Sequence, residues 1–398
     1  VQRRDAVVVA ARRTPIGTAG RSLSGITVDQ LAAPVLAATV QELRESGVGA
    51  RVSSSDAGLD VADVVLGNCM GPGGNVARVS ALSAGLGVSV PGVTVDRQCG
   101  SGLAAILQAA QSVRAGDADL VLAGGAESAS TAPLRAHRGS GAEPDVVYER
   151  APFTPPEFGD PDMGVAAETL ATARGVSRRR QDAYAAASHA KALAARDAGR
   201  FEAELVAVGG LHHDERPRSL RASTLARMPA AFVPGGSVTA GNSCPVSDGA
   251  AAVGIVTSGA RSGVAGLRLV SGAIVGCDPR QPGWGPVPAT ERVLEAAGLK
   301  IGDVAAVEIV EAFAGQVLAV TDALGLDPLG RDADVVCADG GALALGHPWG
   351  ASGAVVVVRL FSRLVLGGAP AGTLGLACAA VGGGLGVAAL FEVVRGPC

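Results

Sequence analysis

The sequence predicts an α/β architecture with a largely parallel sheet, and three observations carry that prediction. Short apolar runs of β type alternate with helix-spaced apolar patterns along most of the chain. Of the 398 residues 48% are hydrophobic but only 3% aromatic, so Ala, Val and Gly supply the apolar mass that close helix-on-sheet packing needs. The same order of elements also occurs twice. Ser101-Gly102 opens a helix leading to Leu120-Val121-Leu122-Ala123-Gly124-Gly125, and Ser352-Gly353 opens one leading to a strand and Gly382-Gly383-Gly384. Two copies would put two equivalent helix starts at one site.

In chain order, Val7–Ala11 reads as a buried first strand, Val28–Leu43 as an amphipathic helix and Asp63–Gly67 as a strand. Val76–Leu86 reads as a helix and Val93–Val95 as a strand. The helix from Leu103 then leads to a strand at Asp119–Ala123 closed by Gly124-Gly125. From about Ala126 to Pro245 the texture changes. Pro and Gly cluster between His137 and Gly164, helices are expected at Val165–Thr172 and Arg178–Gly199, and charge rises from His212 to Arg221. This reads as an insertion long enough to cover a site. Ser177 is its expected N-cap, which makes Arg178-Arg179-Arg180 a solvated helix start. Alternation resumes with Gly249–Val256, Leu267–Cys277, Val304–Val310 and Leu374–Val394.

A net charge of −4 gives no footprint for nucleic acid. The seven cysteines (69, 99, 244, 277, 337, 378 and 398) are odd in number and lack CxxC spacing. They point to a reducing, cytoplasmic compartment, with neither a disulfide scaffold nor a metal site. Val1-Gln2-Arg3-Arg4 carries no secretory pattern. Leu364–Phe391 carries no charge and is long enough to span a bilayer, but Pro370 and the Gly triplet divide it. A doubly buried hairpin is the expectation, with no membrane partner.

Chemistry concentrates at Asp96-Arg97-Gln98-Cys99-Gly100-Ser101-Gly102, where a strand ends and a helix begins. A thiolate there gains from the free N–H groups of the first turn, which are expected to lower its pKa. Of five histidines, His137, His189, His212 and His213 read as surface or structural groups. His347 differs. It stands among small residues, Gly346-His347-Pro348-Trp349-Gly350-Ala351-Ser352-Gly353, where an imidazole stays accessible as a base beside a nucleophile must. Gly382-Gly383-Gly384 has no following Lys-Ser/Thr and so is no phosphate loop. Its expected use is to present a bare N–H to an oxyanion, since a tight turn alone would ask for fewer than three glycines.

These motifs together resemble the thiolase family. The likeness runs through Ala11–Gly17, Arg97–Gly102, Gly124–Ser128, Thr239–Asn242, Asp278-Pro279, Gly285–Ala289, Glu311–Ala314, the His347 motif and Gly382–Gly386. It implies a thiolase fold: two duplicated αβα halves forming a five-layered core, plus an inserted loop domain. The halves would be residues 1–125 with 246–272, and 273–398, around an insertion at 126–245. It also implies a homodimer or homotetramer that acts on acyl-CoA or an acyl-carrier-protein thioester, with no permanently bound cofactor. Cys99 would take the acyl group, His347 would activate the thiol, and the N–H groups of Cys99 and Gly382 would hold the oxyanion. Met163 and Phe313 would line the acyl and pantetheine region, and Ser247 stands at a position implied to meet substrate. Arg218 and Arg221 are candidates for the nucleotide phosphates, because Arg pairs well with phosphate.

Several positions depart from the family pattern. Val310 stands where the family has the Asn that orders a water for the enolate, and Ala380 where it has the Cys that removes the α-proton. Asp162 replaces a His, Cys244-Pro245 replaces Ser-Gly, and Ser247 replaces an Asn. Cys378 lies two residues upstream of Ala380 on one strand face, ~6–7 Å away by regular strand rise, and reaches the site only if the backbone bulges. The losses fall on carbon–carbon bond formation and spare acyl loading. The expectation is an acyltransferase that loads Cys99 and serves an acceptor needing little carbanion chemistry. The alternatives are an ordinary acetyl-CoA acetyltransferase or 3-ketoacyl-CoA thiolase using Cys378 as base, a decarboxylative ketosynthase-type enzyme, and a non-catalytic partner subunit.

Overall fold

The computed structural model describes residues 4–48 and 59–396; Val1–Arg3 and Cys398 lie outside them. Strand β1 (Ala6–Arg13) is followed by α1 (Val28–Glu45), β2 (Asp63–Gly67), α2 (Val76–Ser83), β3 (Val93–Val95), α3 (Ser101–Ala115) and β4 (Leu120–Ser128). The insertion carries a small hairpin (Arg135–His137 with Val146–Tyr148), α4 (Met163–Ala173) and α5 (Arg178–Asp197). Then come β5 (Ser247–Thr257), β6 (Gly266–Gly276), α6 (Pro286–Ala297), β7 (Val304–Ile309), α7 (Ala314–Ala323), α8 (Trp349–Leu360), β8 (Leu374–Val381) and β9 (Leu385–Val394).

The main strands follow the order β7-β8-β9-β6-β1-β5-β4-β2-β3. The two halves repeat one plan. In the first, β1 pairs antiparallel with β5, β5 antiparallel with β4, and β4 parallel with β2. In the second, β6 pairs antiparallel with β9, β9 antiparallel with β8, and β8 parallel with β7. The halves join edge to edge where Val7 and Val8 of β1 meet Arg268 and Leu267 of β6. Strand β6 therefore begins the second half, and the division falls between Thr257 and Gly266.

The expected largely parallel sheet is corrected: most pairings are antiparallel. The turn at Gly382–Gly384 is too short for a crossover, so β9 must run back along β8. Strand β4 also continues past Gly124-Gly125 to Ser128. The stretch from Leu364 to Phe391 does contain the expected buried hairpin. Residues 349–366 form a helix long and apolar enough to cross a membrane, and 83% of it is buried within the fold.

Three apolar clusters mark the helical layers. One lies outside the first half around Leu31, Leu36 and Leu43 of α1, and another outside the second half around Val293, Val317 and Leu318. Between the halves, α3 and α8 form the middle layer, with Leu103, Ile106, Val357 and Val358 at its centre. This is the five-layered order helix, sheet, helix, sheet, helix. The central pair packs backbone against backbone: a Cβ on Gly102 would lie 2.7 Å from Ala354 N, and one on Gly353 2.5 Å from Leu103 N. No larger residue fits either place.

Buried charge fixes the insertion. Arg13, fully enclosed, donates to Glu204 Oε1 at 2.7 Å and forks onto Asp214 at 2.7 and 2.9 Å. Arg359 of α8 also pairs with Glu204, and the Phe201 ring lies against both guanidinium groups. The basic run at 178–180 is less solvated than expected. Ser177 does cap α5, but Arg178 pairs with Asp182 and Arg180 forks onto Asp322. Gly353→Ala should overpack the α3–α8 contact and cost about 1–3 kcal/mol. A lowered denaturation midpoint for the variant checks this.

Candidate active site

The thiol and the imidazole come from opposite halves. Asp96 Oδ1 accepts from Gln98 N, and the Ser101 hydroxyl accepts from Arg97 N while donating to Gln98 O. These bonds hold Gln98 at φ 39°, a conformation rare for a residue with a Cβ, and so turn Cys99 outward ahead of α3. On the other side, His347 N donates to the Ser247 hydroxyl at 3.1 Å and to Pro245 O at 3.3 Å. The result is His347 Nε2 at 3.3 Å from Cys99 Sγ.

The Ser352 hydroxyl bears on the tautomer. The Ser352 hydroxyl lies 2.7 Å from His347 Nδ1 and 3.2 Å from Pro348 O. With its hydrogen on Pro348 O it accepts from Nδ1, which puts the ring proton there and turns the Nε2 lone pair to the sulfur. The sequence marks Ser352 only as a helix start. Its place five residues after the His, on the first turn of α8, is the signal that locates it.

The expected lowered thiol pKa is corrected. Burial pushes the Cys99 thiol up to about 12; Glu127 and Asp96 add to the rise, and the N–H groups of Cys99 and Gly382 oppose it. Desolvation outweighs the helix-start N–H groups. Burial also brings His347 down to about 4. At neutral pH the pair is thus a neutral thiol against a neutral imidazole.

The Gly382 N–H points at the Cys99 sulfur. All three glycines of that turn have structural reasons as well, contrary to expectation. Gly383 and Gly384 have φ of 84° and 79°, and a Cβ on Gly382 would lie 2.8 Å from the Phe153 ring. Position 310 offers the site no polar atom. Val310 is buried and lines a cavity of about 20 Å³, enough for one water, with Ile16, Gly346 and Ser352.

Other sequence candidates sort differently. Cys378 is not brought to the site. Its strand runs from Leu374 to Val381 against β9 with no bulge, and its fully buried side chain joins the outer cluster with Leu376 and Leu390. There burial pushes its thiol up to about 12, opposed by Thr290. Ser247 is not free for substrate: it is 1% exposed, and its hydroxyl is spent on His347 N and Pro245 O. Met163 opens α4, and Gly164 beside it lies under the Phe232 ring, which meets Phe313 edge-on at 6.0 Å. Arg218 is exposed beside Arg21, while Arg221 is exposed at the start of a short helix. Sequence reading missed Arg216, which binds Leu343 O and Ser243 O on the loops flanking His347. It also missed that Cys69 and Cys244 both lie within electrostatic reach of Cys99.

Comparison with known proteins gives the family. The thiolase N-terminal domain matches residues 6–259, and the thiolase C-terminal domain matches residues 263–393. The chain belongs to the thiolase family. This thiolase is accordingly an acyltransferase. It is 40% identical over 407 residues to the acetyl-CoA acetyltransferase of Pseudomonas aeruginosa, covering 96% of this chain and 98% of that one. It is 38% identical to an acetyl-CoA acetyltransferase of Escherichia coli over 98% of this chain and 99% of that one. The crystal structure of the Bacillus anthracis acetyl-CoA acetyltransferase superposes with a TM-score of 0.88 at 34% identity, covering 98% and 99% of the two chains.

A neutral pair reacts with iodoacetamide slowly at neutral pH. Below the thiol pKa, each unit of pH raises the thiolate fraction about tenfold, so the rate should climb into the alkaline range. A preformed thiolate–imidazolium pair would instead give a plateau from acid pH upward. Ser352→Ala should slow alkylation at neutral pH by about tenfold, within the ~1–3 kcal/mol that an unmade buried hydrogen bond costs. Rates followed by peptide mass spectrometry check both.

Proposed function

We propose that this thiolase loads an acyl group onto Cys99 from an acyl-CoA or an acyl-carrier-protein thioester. It then passes the group to an acceptor needing little or no carbanion generation: an amine, an alcohol, another thiol or an already activated carbon. One observation carries the reading. The sulfur lies 3.3 Å from His347 Nε2, whereas positions 310 and 380 hold apolar side chains.

Acyl loading needs only groups that are present. As Cys99 Sγ attacks the thioester carbonyl carbon, His347 Nε2 takes the thiol proton, so no free thiolate has to form beforehand. The N–H groups of Cys99 and Gly382 face the developing oxyanion. Collapse breaks the carbon–sulfur bond to the carrier, and His347 returns the proton to the departing thiolate. In the second half-reaction His347 takes the acceptor's proton as the acceptor attacks the Cys99 thioester; collapse breaks the bond between the acyl carbon and Cys99 Sγ, and His347 returns that proton to the Cys99 thiolate.

Ordinary condensation between two acyl thioesters is disfavoured. A missing general base costs ~10²–10⁴ in rate, and a missing oxyanion donor ~10²–10³. Cys378, set in the outer helical layer, does not restore the base. Arg218 and Arg221 stand on the solvent side of the insertion as candidates for the carrier phosphates, with Met163 and Phe313 along the acyl path. A cytoplasmic homodimer or homotetramer without a permanent cofactor completes the reading.

Intact-protein mass spectrometry after incubation with acyl-CoAs should show one acyl adduct, absent in Cys99→Ala and unaffected by Cys378→Ala. No adduct on the wild type, or one that survives Cys99→Ala, refutes loading. Rapid thiolysis of a 3-ketoacyl-CoA would instead favour an ordinary thiolase.

A further inference from the structure

Glu127, at the end of β4, is fully buried and takes no part in the chemistry above. Its Oε1 accepts from Asn68 Nδ2 at 2.9 Å and Met70 N at 3.0 Å. Its Oε2 accepts from Cys69 N at 3.1 Å and Gly350 N at 3.0 Å. Burial raises its pKa, while four N–H donors on two oxygens and the Cys69 thiol beside them favour the carboxylate. Among the described residues it forms no ion pair, and the strongest opposition to the cost of its burial comes from the N–H groups of Met70, Gly350 and Cys69. A buried charge held by dipoles alone is a poor device for stability.

Its position suggests another use. Three of the donors belong to the loop after β2 in the first half. The fourth, Gly350 N, lies in the first turn of α8 in the second half, three residues beyond His347. The approach is tight: a Cβ on Gly350 would lie 2.7 Å from Asn68 Cα and 2.9 Å from Glu127 Oε2. The charge also acts on the thiol, since Glu127 raises the pKa of both Cys99 and Cys69.

We propose that Glu127 is a positioning residue for the Cys99–His347 pair: its carboxylate clamps the start of α8 to the first half, which holds the imidazole against the sulfur, and its fixed negative charge opposes a free thiolate at Cys99. The thiol proton then leaves to the imidazole during attack instead of to solvent beforehand. This rests on Cys99 being the group that is acylated, but its readout needs no acyl transfer, so the two claims can fail separately.

The test is iodoacetamide alkylation of Cys99 from neutral to alkaline pH in wild type, Glu127→Gln and Glu127→Asp, read by peptide mass spectrometry. Glu127→Gln removes the charge at nearly constant shape and should move the alkylation midpoint down by about half a pH unit or more. Glu127→Asp keeps the charge but shortens the reach to Gly350 N. It should leave the midpoint in place and slow alkylation at neutral pH by about tenfold. A purely structural carboxylate would lower thermal stability in both variants and move neither reading. A midpoint in Glu127→Gln at or above that of wild type overturns the proposal. If that variant does not fold, Glu127→Asp decides alone: an unchanged neutral rate overturns the proposal, and a slowed rate with an unchanged midpoint supports it.

Discussion

The contact between α3 and α8, where Gly102 and Gly353 let two helix backbones meet without side chains between them, governs the rest of the molecule. Each helix starts beside one reacting group, so their separation sets the distance between sulfur and imidazole. Both sheets pack on this pair from opposite sides, and the apolar cluster around it draws on strands of both halves. Interiors packed this densely yield little, so a fraction of an ångström lost at the glycines would be passed on to the site.

Burial of that contact also fixes the chemistry. Placing the thiol and imidazole at the junction of two sheets removes water, which disfavours charge on either group. The pair therefore rests neutral, and what the protein supplies is geometry. Ser352 bonds His347 Nδ1, Ser247 and Pro245 hold the His347 backbone, and in the proposed reaction the Cys99 and Gly382 N–H groups would meet the charge that appears as the thiol attacks. Stabilisation concentrated on the transition state raises rate without tightening the resting complex.

Several motif residues prove to be fasteners. Arg13 spends its fork on Glu204 and Asp214 of the insertion and on the neighbouring Thr14 O. Glu311 accepts from Tyr184, Ser188 and Leu343 N, tying α5 to the loop before His347. Asn242 joins Asp182 of α5 to the turn that leads to Ser247. These bonds place the loops that carry Phe232, Phe313 and Arg216 around the thiol, so the insertion belongs mechanically to the site.

Much of this could be read along the chain. Val93–Val95 and Asp63–Gly67 are strands at the predicted limits, because their periodicity is local and their ends carry turn signals. Helix α7 escaped because it is buried almost all round and has no polar face to reveal a period. Helix α6 carries a sequence signal at both ends, Pro286 at its start and Gly298 at φ 67° after its end. The sequence by itself determined the duplication, the identity of Cys99 and His347 and the apolar side chains at 310 and 380, since spacing and residue type are written in order. Strand direction, the burial of Cys378 against the outer helical layer, the raised thiol pKa and the hydrogen bonds that Glu127 accepts from both halves were decided only by the tertiary structure. Each depends on which distant segments exclude water from the same place, and linear order does not record that.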